Sequence, residues 1–216
     1  MPGERTARGI TRSSQSNRAL AFVWLGKEQR RDITLFYAFC RLIDDIADDP
    51  QLSVEEKNRR LTIWRAALQA PTPHESPVAA DLRGLLARYP LTPAMLEEII
   101  DGVEMDLTIA RYETWADLRA YCYRVASAVG LVSIEIFGYK NPACRAYAIE
   151  LGLALQVTNI LRAVAKDLLN GRVYPPPADL AQFGYTEEDL PVPAGHAPFP
   201  APMPLQAGPP GPAPPN

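Results

Sequence analysis

A helical hydrophobic period, interrupted by start and stop residues, runs through the first 190 residues and is the feature that most constrains the fold. Apolar residues recur every three or four positions, as they do on the buried face of an amphipathic helix. No stretch shows the alternation of apolar and polar residues typical of a half-buried strand. The sequence therefore predicts an all-α fold.

Capping residues divide this pattern into successive helices. Ser53 followed by Glu56 is a capping box, and Thr92 followed by Pro93 is a typical helix start. The predicted helices begin at about Asn17, Lys27, Ser53, Val78, Thr92, Thr114 and Asn141. The last of them continues to Asn170 and Gly171, which form a favourable C-terminal pair. This helix is long enough to cross a whole domain.

The composition changes after Thr186. Thr186 and the acidic residues 187–189 predict the start of another helix, but Pro191 interrupts it at once. Residues 191–216 contain 11 prolines and no Lys, Arg, Asp or Glu, so we expect a disordered or polyproline-like tail. The tail is either a natural linker or proline-rich ligand, or the result of a frameshift or truncation that replaced the rest of a longer domain. We favour the second explanation, because a capped helix start followed by proline is locally inconsistent.

The expected organisation is a flexible N-terminus over residues 1–12, a helical domain over 13–190 and the proline-rich tail over 191–216. A formal charge of −3 gives no electrostatic reason to expect a nucleic-acid partner. Cys40, Cys122 and Cys144 lack metal-site or disulfide spacing. The N-terminus has no apolar segment of the signal-peptide type. We therefore expect a cytoplasmic protein that is at most peripheral to a membrane.

The segment "FCRLIDDIADD", residues 39–49, is the first candidate site. On a helix, Asp44 and Asp48 lie one turn apart on the same face, with Arg41 beside them. Two carboxylates in this relation can bind Mg²⁺ while phosphate oxygens complete the coordination. An acidic helix end before Pro50 is the alternative. Asp45 and Asp49 lie about 100° around the helix and are expected to be solvated or ion-paired.

The segment "QVTNILRAVAKD", residues 156–167, carries a second polar stripe. Gln156, Asn159, Ala163 and Asp167 follow one another at spacings of three, four and four on an otherwise apolar helix. Such a stripe either faces a polar ligand or consists of amides satisfied within a helical core. In the segment "YCYRVASAVGL", residues 121–131, small residues permit close approach of a ligand, or of another helix in plain packing.

Together these segments resemble the squalene and phytoene synthase family of head-to-head prenyl synthases, over about residues 13–190. The phrases that carry the resemblance are "YAFCRLIDDIAD", "DGVEMDL", "YCYRVASAVGL" and "LGLALQVTNILRAVAKDLLNGRVY", in the family's order. The resemblance implies an isoprenoid-synthase-type helical bundle around a central cavity, with two aspartate-rich motifs facing each other. It also implies that the bundle is incomplete at the C-terminus, since family members continue through several more helices.

The resemblance further implies roles for individual residues. Asp44 and Asp48 would bind Mg²⁺ from one wall of the cavity, and Asn159 and Asp167 from the other. The residues expected to contact the diphosphates are Arg41, Tyr121, Gln156, Arg162 and, in a serine-containing N-terminal segment, Ser14 and Ser16. Family members carry Asp where this chain has Ala163, so the second motif lacks one carboxylate.

The family chemistry joins two prenyl diphosphates through an allylic cation and a cyclopropyl intermediate. NADPH would be consumed only if the product were squalene, and we see no dinucleotide fingerprint. Farnesyl diphosphate and a C30 product are preferred over a C40 product on general resemblance. Because of Ala163 and the missing helices, the alternatives are an inactive pseudoenzyme, a helical binding protein, or a fragment that never folds stably. The sequence does not determine the oligomeric state.

Overall fold

The computed structural model describes residues 25–169 and 171–182, together with 184, 186 and 190. Eight α-helices occur in this part of the chain. Their bounds are α1 Lys27–Asp48, α2 Val54–Gln69, α3 Pro77–Arg88, α4 Pro93–Thr108, α5 Trp115–Cys122, α6 Ala128–Phe137, α7 Ala143–Leu169 and α8 Pro177–Gln182. A π-helical turn, Tyr123–Ser127, joins α5 to α6. In the described residues the only β-type pairing is an isolated bridge between Arg111 and Val173. The prediction of an all-α fold is confirmed.

Most of the predicted helix boundaries are confirmed within one or two residues. The Ser53 hydroxyl accepts a hydrogen bond from the Glu56 amide at 3.2 Å, and the Asn141 side chain accepts one from the Ala143 amide at 2.9 Å. The Thr92 side chain does not form the expected cap bond within the described structure. The predicted helix at residues 17–26 begins outside the described residues, as do the acidic turn at 187–189 and the tail at 191–216.

The π turn was not predicted, because the sequence suggests one uninterrupted helix from Thr114 to Gly138. Helices α4 and α7 both contact this turn. A Cβ on Gly102 of α4 would meet the Arg124 Cβ at 2.8 Å, and one on Gly152 of α7 would meet the Ser127 Cα at 2.6 Å. The backbones therefore approach closely here. The helix-packing interpretation of residues 121–131 is confirmed at this contact.

The main hydrophobic core lies among α1, α2, α3, α4 and α6. Phe36, Phe39 and Ile43 of α1 are fully buried in it, and Phe39 makes an edge-to-face contact with Trp64 at 5.6 Å between ring centroids. Both α1 and α7 pack against α6. The two helices that carry the candidate metal-binding motifs are thus held on a common element.

The continuous helical run Trp115–Phe137 is long and apolar enough to cross a membrane by length and composition. Half of its apolar window is buried inside the protein. A core helix meets the same criteria, and this run contacts α4 and α7. The observation is therefore weak evidence for a membrane span.

Candidate active site

Asp44 and Asp48 lie in the last two turns of α1, and the final turn contains no basic residue that would offset the carboxylates against the helix dipole. The helix ends at Asp48, and the backbone of Asp49 is extended. The Asp49 carboxylate accepts a hydrogen bond from the Gln51 amide at 2.8 Å, and Lys57 donates to the Ala47 carbonyl at 2.6 Å. The local turn thus satisfies its own polar groups and leaves the Asp44–Asp48 side of the helix to other partners.

Desolvation by the surrounding protein raises the pKa of Asp44 to about 6. The charges of Asp48 and Asp106 are smaller causes of the same rise, and Arg41 opposes it. The Asp44 side chain nevertheless stays exposed to solvent on one side. A carboxylate that is crowded by like charges and still accessible is suited to a cation, which would relieve the repulsion.

Arg41 forms its direct ion pair with Asp45, at 3.0 Å, and both side chains are at least a third exposed. It also lowers the pKa of Asp44, so it lies near that carboxylate as well. The expectation that Asp45 and Asp49 are ion-paired or solvated is confirmed by this pair and by the Asp49 turn bond. A guanidinium held by an exposed pair can exchange partners at small cost.

Asp106, in the last turn of α4, links the carboxylates of α1 to Tyr121. Its carboxylate accepts hydrogen bonds from the Tyr121 hydroxyl at 3.3 Å and the Tyr174 hydroxyl at 3.4 Å. Arg172 donates to the Asp106 backbone carbonyl at 3.0 Å and lies 3.6 Å from the carboxylate. Desolvation raises the pKa of Asp106, while Arg172 and the two hydroxyls lower it.

Three tyrosine rings pack against one another beside this carboxylate. The ring centroids of Tyr112, Tyr121 and Tyr174 lie 5.3–5.9 Å from one another. Burial, together with the negative charge of Asp106, raises the pKa of Tyr121, so its phenol keeps its proton and acts as a hydrogen-bond donor. The hydroxyl of Tyr112 is buried and has no partner among the described residues.

The residues of the α7 stripe differ in their exposure to solvent. Gln156, Ala163 and Asp167 are half-buried, whereas Asn159 and Arg162 are exposed. The Asp167 backbone carbonyl accepts a hydrogen bond from the Arg172 amide at 2.9 Å, which connects the end of α7 to the Asp106 network. That Asn159 and Asp167 face Asp44 and Asp48 across a cavity stays a prediction. Ser14 and Ser16 lie outside the described residues.

Sequence reasoning missed Asp106, Arg172 and Tyr174 as individual site residues. A signal was present, because Asp106 belongs to "DGVEMDL" and the other two to the end of "LLNGRVY". Both phrases carry the family resemblance, but the resemblance was not used to assign a function to any of these three side chains. The structure shows that the two phrases meet, since Arg172 donates a hydrogen bond to the Asp106 backbone carbonyl at 3.0 Å.

The donor set fits Mg²⁺ as a partial site. Within the described residues, no three His, Cys, Asp or Glu side chains converge as a complete metal-binding group. The hard oxygen donors Asp44 and Asp48 suit Mg²⁺, which usually keeps open positions for water and substrate phosphates. Their mutual repulsion is the structural observation that favours a bound cation.

Comparison with known proteins identifies the wider group. The family model described as squalene/phytoene synthase matches residues 11–201. The 15-cis-phytoene synthase of Synechococcus elongatus is 38% identical over 186 residues, covering 79% of this chain and 60% of that protein. The phytoene synthase of Mycobacterium tuberculosis is 37% identical over 180 residues, covering 83% of this chain and 59% of that protein.

Two solved structures share the fold. The squalene synthase HpnC from Alicyclobacillus acidocaldarius superimposes with a TM-score of 0.72 at 30% identity, over 86% of this chain and 70% of that one. A dehydrosqualene synthase in complex with ligand gives a TM-score of 0.70 at 32% identity, over 86% and 65%. The chain spans about three fifths of the length of the curated relatives named above. It belongs to the squalene/phytoene synthase family.

Proposed function

We propose that this chain carries metal-binding and substrate-binding residues of a Mg²⁺-dependent active site for head-to-head condensation of two prenyl diphosphates. The observation that carries the proposal is the Asp44–Asp48 pair, which is crowded by like charge and accessible to solvent. Membership of the squalene/phytoene synthase family supports the reaction class. The metal would supply charge stabilisation for a departing diphosphate.

The proposed roles rest on side-chain environment for Asp44, Asp48 and Arg41, and on the family resemblance for the other residues. Asp44 and Asp48 would bind the metal from α1, and Asn159 and Asp167 from α7. Arg41 would exchange its exposed pair with Asp45 for a phosphate oxygen, since guanidinium groups bind phosphate well. Further polar contacts to the two diphosphates would come from Gln156, Arg162, Ser14 and Ser16.

Tyr121 would donate a hydrogen bond and would not act as a base, because its buried phenol stays protonated. Asp106 would hold this hydroxyl in place. The reaction breaks the C1–O bond of one substrate to release diphosphate, and the double bond of the second substrate attacks the allylic cation. Loss of a proton then closes the cyclopropane ring. An apolar environment is needed to protect such a cation from water.

The expectation from the sequence that farnesyl diphosphate is the substrate stays a proposal. The curated relatives quoted above are named phytoene synthases, whereas the solved neighbours are squalene-type enzymes. Both farnesyl diphosphate and geranylgeranyl diphosphate are therefore used in the test. NADPH is proposed only for the case in which the product is squalene.

Ala163 is the specific observation that favours a second candidate function, a non-catalytic prenyl-diphosphate-binding protein. The family has Asp at this position, and the missing carboxylate would weaken stabilisation of the leaving group. Metal stabilisation of that kind is worth several kcal/mol. A loss of about 3 kcal/mol corresponds to roughly a hundredfold in rate.

Product analysis separates the two functions. The chain is incubated with Mg²⁺ and farnesyl or geranylgeranyl diphosphate, in parallel with Ala163→Asp and with Ala163→Asp fused to the C-terminal region of a phytoene synthase relative. We expect no coupled product, or traces with some hydrolysed alcohol, from the unmodified chain. Little recovery is expected from the single substitution, and coupling from the fusion. Robust C30 or C40 product from the unmodified chain would show that Ala163 is compatible with catalysis.

A further inference from the structure

Arg172 lies shortly after α7, in a segment that is paired with the residues following α4. The Arg172 amide donates to the Asp167 carbonyl at 2.9 Å, and the next amide, that of Val173, donates to the Ala110 carbonyl at 2.9 Å. The backbone at Arg172 is therefore attached both to the end of α7 and to the residues after α4. The Arg172 side chain starts from a defined position between these two helix ends.

The Arg172 guanidinium contacts Asp106 of α4 at two places. Its Nη2 donates to the Asp106 backbone carbonyl at 3.0 Å, and its Nη1 lies 3.6 Å from the carboxylate oxygen Oδ1. Nη1 also donates to the Tyr174 hydroxyl at 3.5 Å, which in turn donates to the same Oδ1 at 3.4 Å. A planar guanidinium that engages both the main chain and the side chain of one residue restricts the rotation of that side chain.

The other carboxylate oxygen of Asp106, Oδ2, orients Tyr121. It accepts a hydrogen bond from the Tyr121 hydroxyl at 3.3 Å, while Arg172 and Tyr174 hold the Oδ1 side. Desolvation raises the pKa of Asp106, and Arg172 is the strongest of the groups that lower it. Arg172 thus favours the ionised carboxylate, which is the stronger hydrogen-bond acceptor.

A purely structural role for Arg172 would be to cap α4. The Asp106 carbonyl is one of the last four of this helix, whose final turn has no basic residue, so a guanidinium is favourable there. A cap accounts for the bond to the carbonyl. It does not require the approach to Oδ1 or the contact with Tyr174, which place the positive charge beside the carboxylate that holds Tyr121.

The Asp106 network also lies near the carboxylates proposed to bind Mg²⁺. Desolvation is the largest cause of the raised pKa of Asp44, and the negative charge of Asp106 is a smaller one. On the opposite side, the Arg172 amide holds the carbonyl of Asp167. Arg172 therefore connects Tyr121, through Asp106, to the end of the second candidate motif.

We propose that Arg172 is a positioning residue of the active site, which acts through the Asp106 carboxylate to orient the Tyr121 hydroxyl relative to the end of α7. In this role the guanidinium binds Asp106 and Tyr174 and does not bind the diphosphate. The inference rests on the proposed function, in which Tyr121 donates a hydrogen bond to the substrate. The environment of the Tyr121 hydroxyl can nevertheless be measured without any substrate.

The first test measures the Tyr121 hydrogen bond in the full chain. Tyrosine labelled with carbon-13 at Cζ, the atom that carries the hydroxyl, is incorporated and observed by NMR. Tyr121→Phe identifies the Tyr121 signal, and Asp106→Ala gives its position when the acceptor is lost. We expect Arg172→Met to move this signal in the direction of Asp106→Ala, by at least half as far.

Arg172→Lys keeps the charge but cannot contact the Asp106 carbonyl and carboxylate together. We expect it to move the Tyr121 signal in the same direction by a smaller amount. This variant decides the question if Arg172→Met does not fold. Circular dichroism checks the folding of every variant.

Arg65→Met is the matched control. Arg65 also pairs with carboxylates of α4, those of Asp101 and Glu104, both at 2.6 Å. Its side chain is 26% exposed, against 35% for Arg172. Its removal should weaken the packing of α4 and leave the Tyr121 signal at the wild-type position.

A second measurement separates this inference from the proposed function. Binding of inorganic diphosphate in the presence of Mg²⁺ is measured by calorimetry for the wild type and for Arg172→Met. We expect the variant to bind about fivefold more weakly, as for the loss of one hydrogen bond. If the wild type did not bind diphosphate, the proposed function would be wrong, and the Tyr121 signal would still decide the role of Arg172.

Three results would overturn the proposal. An unchanged Tyr121 signal in Arg172→Met would show that Arg172 only caps α4. An equal change in Arg65→Met would show a general loss of α4 packing. Weaker diphosphate binding without a change in the Tyr121 signal would show that Arg172 contacts the diphosphate directly.

Discussion

The two ends of α1 carry the same residue type in opposite environments. Asp32, near the start, is 1% exposed and accepts hydrogen bonds from Arg88 at 2.6 Å and the Tyr89 hydroxyl at 2.9 Å. Asp44, near the end, is exposed and lies among the like charges of Asp48 and Asp106. A carboxylate whose partners are supplied by the fold stabilises it, whereas one left with like charges costs stability and indicates an external partner.

Asp32→Asn is expected to have the largest effect. Removing the charge leaves the Arg88 guanidinium without its carboxylate, while Tyr89 keeps an acceptor. Asp32 is buried and the Arg88 side chain is about a third exposed, so breaking this pair from one side costs at most about 3 kcal/mol in the free energy of unfolding. Urea denaturation of the variant at neutral pH measures this loss. A loss below about 1 kcal/mol would show that the pair of Asp32 with Arg88 contributes no more than an exposed ion pair.

Asp106→Ala is expected to destabilise the protein by about 2 kcal/mol, because the hydroxyls of Tyr121 and Tyr174 lose their acceptor. Tyr121→Phe is the matched variant, since it removes one donor and leaves the carboxylate. Thermal unfolding of both variants, compared with the wild type, checks the order. If the phenylalanine variant were the less stable of the two, Asp106 would not be the centre of this network.

Asp44→Asn is expected to raise the free energy of unfolding at neutral pH, whereas the substitutions of Asp32 and Asp106 lower it. The folded state keeps the Asp44 proton up to a pKa of about 6, above the ordinary value of 3.8. Wild-type stability should therefore fall as the pH rises between these values. The asparagine variant cannot ionise, so it should be more stable than wild type at pH 7.5, by on the order of 1 kcal/mol after screening, and equal to it near pH 4.

Urea denaturation at pH 7.5 and pH 4 tests this expectation. Saturating Mg²⁺ with inorganic diphosphate should stabilise the wild type and not the variant, because a ligand stabilises only the protein that binds it. A variant that is less stable than wild type at neutral pH would place Asp44 with Asp32 as a structural residue.

Asp45→Asn is expected to have the smallest effect. Its ion pair with Arg41 is exposed, and such pairs contribute about 0.3 kcal/mol. The variant should unfold close to the wild-type denaturant concentration and change the pH dependence described for Asp44 only slightly, because Asp45 is the smallest of the charges that raise the pKa of Asp44. A large loss of stability would mean that Arg41 is fixed by Asp45 and is not free to reach a phosphate.

The sequence predicted the helices well because their boundaries depend on local chemistry. Ser53, Asn141 and Pro93 act within one turn of where they stand, so their effect can be inferred without knowing the fold. The acidic stripe of α1 was predicted for the same reason, since Asp44 and Asp48 are neighbours on one helix. The family resemblance supplied the rest of the proposed site.

Contacts between distant segments could not be inferred from periodicity. The bonds from Tyr121 and Tyr174 to Asp106 join residues 15 and 68 positions apart. The π turn depends on the approach of α4 and α7, which no local rule in the α5–α6 sequence reveals. The same holds for Asp32, whose partners Arg88 and Tyr89 lie on and just after α3.

The π turn at Tyr123–Ser127 also affects how this stretch of sequence tolerates change in length. A π turn contains one residue more than an α-helical turn, so deleting one residue there can be absorbed by conversion to α-helix. A deletion within α5 or α6 would instead rotate all later side chains by about 100° relative to those before it. A one-residue gap in an alignment of this stretch with a relative is therefore best placed at residues 123–127. A change in length there does not rotate the side chains that follow.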